Sequence, residues 1–155
     1  MDRRSLRSMT DTYPVATSEA ATAVMRGNRK RDTRPELRLR RALHALGLRY
    51  RVDRPIAVGG GRPIRPDVVF GPVKVAVFIH GCFWHACPEH CVLPRANREW
   101  WEWKFAANRA RDADTDEKLR RLGWLVLRIW EHEKSVDAAD RVALLLSEVS
   151  APERP

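Results

Sequence analysis

The feature that most constrains this chain is the stretch Val75–Cys91. Its first five residues, Val75-Ala76-Val77-Phe78-Ile79, are apolar and mostly β-branched or aromatic, which predicts a buried strand. The strand runs directly into three histidines, three cysteines, a Phe-Trp pair and a glutamate within twelve residues, His80–Cys91. Polar, metal-binding side chains at the exit of a core strand are held by a rigid element, as a chemical site requires.

The chemistry of that cluster depends on the redox setting. No apolar run approaches the roughly 20 residues of a membrane span, and the N-terminus shows no signal-peptide core. A cytoplasmic, nucleoid-associated protein with no membrane partner is expected, in which clustered cysteines bind metal rather than form disulfides. Cys82 and Cys87 are separated by four residues, and His90 and Cys91 follow Cys87 at three and four, spacings at which Zn²⁺ is held tetrahedrally. A fourth ligand must come from elsewhere, and His132 is the best candidate. Spacing does not choose between His90 and Cys91 for the third. It also leaves His85 free either to ligate or to serve catalysis.

Charge narrows the partner. The net charge is +9, and residues 1–54 hold fourteen Lys and Arg against six Asp and Glu. Such a concentrated surplus is a footprint for a polyanion, nucleic acid first, although an Arg-rich solvated surface has the same composition.

The remaining elements place these features. Residues 1–18 lack periodicity and are expected to be a disordered leader. Residues 19–31 form a basic segment in which a short helix starting near Ser18 is stopped by Gly27 and Asn28. Thr33-Arg34-Pro35-Glu36 is a helix start with a capping box, followed by Leu39, Ala42, Leu43 and Leu46 at helical spacing and Gly47 as terminator. Tyr50–Val52 and Val68–Phe70 read as strands, and the Gly71-Pro72 turn makes an antiparallel hairpin of Val68–Phe70 with Val75–Ile79. The hairpin brings Asp67, at the entry of one strand, beside His80, at the exit of the other. An aspartate there can hold Mg²⁺ through oxygen, or serve merely as a turn or cap residue. Residues 98–122 read as a long helix with Trp100, Trp103, Ala107, Ala110, Leu119 and Leu122 on its apolar side. Trp124–Trp130 is mostly apolar and so expected to be a central strand. Ser135 starts a last helix with Val142, Leu145, Leu146 and Val149 on one face, and 151–155 is a tail. The expectation is one α/β domain over 19–150, a mixed central sheet flanked by helices and carrying a structural zinc site.

Met25 with Asp32-Thr33, Pro35-Glu36, Arg65-Pro66-Asp67, Phe78-Ile-His-Gly-Cys-Phe-Trp-His85, Asn108-Arg-Ala-Arg-Asp112, Gly123-Trp124 and Trp130-Glu131-His132 stand in one order along the chain. In these pieces the chain resembles the very-short-patch repair mismatch endonucleases, a family similar to the PD-(D/E)xK nucleases. The resemblance implies a restriction-endonuclease-like fold and a Mg²⁺-dependent endonuclease that nicks duplex DNA 5′ to the T of a T·G mismatch, acting as a monomer.

By position, the resemblance makes Asp67 the Mg²⁺-binding carboxylate and His85 the catalytic histidine, with His80 and Glu36 near the metal waters. It makes Cys82, Cys87, His90 (or Cys91) and His132 the zinc shell. Phe83, Trp84 and Met25 become the wedge that enters the DNA stack, which moves Met25 from a core reading to a DNA-binding one, beside Arg26, Arg29 and Lys30 of the basic segment. Where this nuclease fold usually carries a second acid and a lysine, the chain has Ile79 and Gly81. Ile79 can offer a metal only its backbone carbonyl.

Overall fold

The computed structural model describes residues 31–150, and the expected leader, most of the basic segment and the tail lie outside the described residues. Helix α1 spans Arg34–Ala45, β1 Arg51–Val52, β2 Val68–Phe70, β3 Val75–His80, α2 Arg98–Arg121, β4 Leu125–Trp130 and α3 Ser135–Ser150. The start of α1 is capped as the sequence predicts. The Thr33 hydroxyl accepts from the Glu36 N–H, and the Glu36 carboxylate turns back to accept from the Asp32 N–H at 2.9 Å.

The four strands form one mixed sheet in the order β1-β2-β3-β4. The hairpin is confirmed, with Val68 opposite Val77 and Phe70 opposite Val75. β4 lies parallel to β3, Val75 opposite Leu125 through His80 opposite Trp130, and α2 supplies the crossover that a parallel pair needs.

Alternation along the strands divides the core in two. Val68, Phe70, Val75, Val77 and Ile129 pack with Leu39 and Leu43 of α1 and Ala138, Ala139 and Val142 of α3. On the opposite face Ala76 and Leu119 of α2 are buried, with Phe78, Trp124 and Val126 packed against them. Each fully buried Val or Leu in these layers contributes about 1.5–3 kcal/mol.

Two expectations are corrected. β4 is an edge strand among the described residues, not a central one. Its apolar character comes from helices covering both of its faces rather than from neighbours on both edges. The buried stripe of α2 is Trp101, Phe105, Asn108 and Leu119, not the one through Trp100, Trp103 and Ala107. The true stripe contains polar residues because part of it faces a polar site.

Candidate active site

The C-terminal ends of β3 and β4 lie side by side, with the Glu131 N–H donating to the His80 carbonyl at 2.9 Å. From there the chain folds into successive turns. The His85 N–H donates to the Gly81 carbonyl, and the Cys87 N–H to the Cys82 carbonyl at 2.8 Å. Ala86 takes a left-handed conformation (φ 51°) that non-glycine residues seldom adopt. The Glu131 carboxylate accepts from the Cys82 N–H at 2.6 Å and anchors the loop to β4.

On one side of this loop, donor atoms of Cys82, Cys87, His90 and His132 all lie within 4.8 Å of one another. The His132 Nδ1 is 3.1 Å from Cys82 Sγ and 3.7 Å from Cys87 Sγ, and His90 Nδ1 is 3.8 Å from Cys87 Sγ. Zinc bonds of about 2.0–2.3 Å in a tetrahedron separate S and N ligands by roughly 3.6 Å, so the spacing and the donor types both fit Zn²⁺. Burial pushes the Cys82 thiol up to about 11. Burial also raises Cys87, but the backbone amides of Glu89 and His90 and the His90 ring outweigh it and hold that thiol below its usual range. The choice between His90 and Cys91 that spacing left open falls geometrically to His90. The Cys91 sulfur lies outside the cluster, 3.8 Å from the Phe83 carbonyl.

On the other side a second cluster forms from His80, His85 and Asp112 of α2. His85 Nδ1 is 2.7 Å from Asp112 Oδ2, and the two imidazole rings stack at 3.8 Å. Burial pushes the Asp112 carboxyl upward, but the hydrogen bond to His85 and the nearby His85 and Arg128 charges hold it below its ordinary value. Burial, then His85 and Arg128, pushes His80 down to about 4, so its imidazole is neutral at physiological pH. Arg128 of β4 reaches His80 Nε2 and lies 3.7 Å from Asp112 Oδ1. A guanidinium so placed opposes a cation within this trio, in which only His85 and Asp112 are hydrogen-bonded to each other; His80 Nε2 lies 3.7 Å from Asp112 Oδ2.

Asp67 stands in neither cluster. Its Oδ2 accepts from the Ile79 N–H at 2.7 Å. Burial, with Glu36 nearby, pushes its carboxyl up to about 6. A carboxylate so desolvated and so sparsely bonded suits a bound cation. Glu36 is buried and engaged with Thr33, the Asp32 N–H and Arg40.

Phe83 and Trp84 are half-buried on the N-terminal half of α2. The Phe83 ring makes edge contacts with Trp101 at 5.0 Å and Phe105 at 5.4 Å, and the Trp84 carbonyl accepts from the buried Asn108 at 2.7 Å. Met25, Arg26, Arg29 and Lys30 lie outside the described residues.

The profile of a family described as DNA mismatch endonuclease Vsr matches residues 11–92. A type II nicking enzyme, V.NaeI of Lentzea aerocolonigenes, is 45% identical over 131 residues, 84% of this chain and 79% of the relative. The chain belongs to the Vsr family. The DNA mismatch endonuclease Vsr of Escherichia coli is 38% identical over 123 residues, 74% of each chain. The type II nicking enzyme V.NmeDIP of Neisseria meningitidis serogroup C is 38% identical over 119 residues, 76% of this chain and 77% of the relative. Vsr membership implies a restriction-endonuclease-like fold, and the mixed sheet between helices is compatible with it.

The Vsr-matched span contains Glu36, Asp67, His80, His85 and the cysteines, whereas Asp112, Arg128 and His132 lie beyond it. Asp112, which stands in the Asn108–Asp112 piece of the resemblance, and Arg128 carry no role that the sequence alone assigns. The available signal was the line Asn108, Asp112, Asp116 at four-residue intervals on a helix, polar residues sharing the face of buried Phe105 and Leu119.

Proposed function

We propose that this chain is a Mg²⁺-dependent endonuclease that nicks duplex DNA 5′ to the T of a T·G mismatch, with Zn²⁺ as a structural ion. The observation that carries the reading is the His85–Asp112 pair. The carboxylate accepts from the Nδ1–H of His85, so the Nε2 lone pair is open to take a proton from an attacking water. A histidine oriented by a half-buried carboxylate can act as a general base, and membership in a family of DNA endonucleases supplies its substrate class.

Asp67 and the Ile79 carbonyl would hold Mg²⁺, which when bound supplies Lewis-acid stabilisation of charge on the phosphodiester oxygens. Cys82, Cys87, His90 and His132 would hold Zn²⁺, joining the loop after β3 to the end of β4 and so fixing His85. Phe83 and Trp84 lie between a zinc ligand and the general base, a place suited to entering the base stack from a rigid aromatic bed. A mismatch lowers the cost of unstacking, so such a wedge also helps select the site.

A second reading, site-specific nicking without mismatch preference, is favoured by the relatives described as type II nicking enzymes. A panel of T·G and fully paired duplexes in varied contexts, with and without Mg²⁺, separates the two. Nicking confined to T·G supports the mismatch enzyme. Nicking of paired duplexes at equal rates supports the second reading. Binding without cleavage in any context leaves a non-catalytic, zinc-stabilised DNA-binding module.

A further inference from the structure

β4 carries one charged residue, Arg128, in the middle of an apolar strand and directly opposite Phe78. Its side chain is only 20% exposed. A charge placed so deep is costly unless its hydrogen bonds are filled, and here four of the five guanidinium N–H groups donate. Nε donates to Asp116 at 3.1 Å, and Nη2 donates to Asp116 at 2.5 Å and to the Asp112 carbonyl at 3.1 Å. Nη1 donates to His80 Nε2, and the guanidinium lies 4.7 Å from the Phe78 ring centre.

The consequence lies in what a guanidinium cannot do. It has donors and no acceptor, so His80 Nε2 must be the acceptor and the His80 ring proton must sit on Nδ1. His80 Nε2 is also 3.7 Å from Asp112 Oδ2, the same oxygen that His85 uses. With a proton on Nε2, His80 would compete with His85 for that oxygen. Arg128 removes the competitor and, through the Asp112 carbonyl, pins the helix that carries the carboxylate.

We propose that Arg128, anchored by Asp116, is a positioning residue that fixes His80 as its Nδ1–H tautomer and reserves Asp112 for His85. The kinetic part of this rests on the reading of His85 as the general base, while the tautomer part does not.

The test is long-range ¹H–¹⁵N correlation of the full-length, zinc-replete chain at neutral pH, in which only five histidines need assignment. The expected wild-type spectrum shows His80 with an unprotonated Nε2. Arg128→Met is expected to move that proton to Nε2 and to lower the single-turnover nicking rate about tenfold or more, with duplex affinity unchanged. Arg128→Lys, which keeps a cationic N–H donor and no acceptor, is expected to retain the tautomer and recover part of the rate. A wild-type His80 protonated on Nε2 overturns the proposal even if Arg128→Met fails to fold. An Arg128→Met protein with both tautomer and rate unchanged overturns it as well. Should the wild type nick no duplex, the His80 spectrum still decides the tautomer, and only the endonuclease reading falls.

Discussion

Asp112→Asn tests the His85–Asp112 pair with little change in shape. The hydrogen bond it alters is short, 2.7 Å, and charge-assisted. Bonds of this kind contribute about 1.5–3 kcal/mol, or roughly 10- to 150-fold in rate if the bond strengthens as His85 takes a proton. The amide adds a second penalty. Arg128 Nη1 faces the other carboxylate oxygen at 3.7 Å and draws the amide oxygen toward itself. The NH₂ group then faces His85 Nδ1 and donates to it, which forces the His85 proton onto Nε2 and blocks the base. An equivalent carboxylate-to-amide change in the serine protease triad costs about 10⁴ in turnover. The expected loss here is therefore about 10²- to 10⁴-fold in single-turnover nicking of a T·G duplex. Duplex affinity, read by fluorescence anisotropy without Mg²⁺, is expected to stay within about threefold of wild type. A folded Asp112→Asn protein that nicks at close to the wild-type rate refutes the role of Asp112 in orienting His85.

Asp67→Asn is expected to abolish nicking while raising thermal stability in Mg²⁺-free buffer at pH 7.5. Burial raises the Asp67 carboxyl to about 6, so the native state binds the extra proton and the cost of the buried charge grows as pH rises from about 4 and is complete above 6. The gain is on the order of 2–3 kcal/mol at most and falls to about 0.5 kcal/mol at pH 4; Tm curves at the two pH values check it, and an equal shift at both contradicts it. Cys87→Ala is expected to lose bound zinc and melt at lower temperature, and elemental analysis that finds no zinc in the wild-type protein refutes the site. Trp84→Ala is expected to keep its zinc while losing about tenfold or more in T·G affinity. A large fall in Tm with unchanged affinity of the folded fraction would instead make the ring part of the aromatic packing around Trp101.

Local signals predicted the local structure well. The Thr33–Glu36 cap, the Gly71-Pro72 hairpin and the grouping of Cys82 and Cys87 with His132 each depend on short spacings or on strand ends that a parallel sheet aligns. Sheet order was less legible. Apolar β4 resembles a central strand because sequence records how well its faces are covered, and helices cover both, whereas edge pairing leaves no mark on composition. Helix α2 concealed the most. Its buried stripe runs from Trp101 and Phe105 through Asn108 to Leu119, with Asp112 and Asp116 beside the histidines, so a search for apolar periodicity passes over the polar residues that face His85 and Arg128. Arg128 was hidden for the converse reason, a single charge inside an apolar strand whose partners are 12 to 48 residues away in sequence.

In the proposed mechanism His85 and Asp67 together cut one strand of a mismatched duplex. The most direct measurement is a T·G duplex labelled with a different dye on each strand, resolved at nucleotide resolution after incubation with wild type, His85→Gln or Asp67→Asn. With Mg²⁺, wild type is expected to give one product, on the T strand and cut 5′ to the mismatched T, with the fully paired duplex, the Mg²⁺-free reaction and both variants giving none. Cleavage of both strands, equal cleavage of the paired duplex, or an unchanged product from either variant would contradict it.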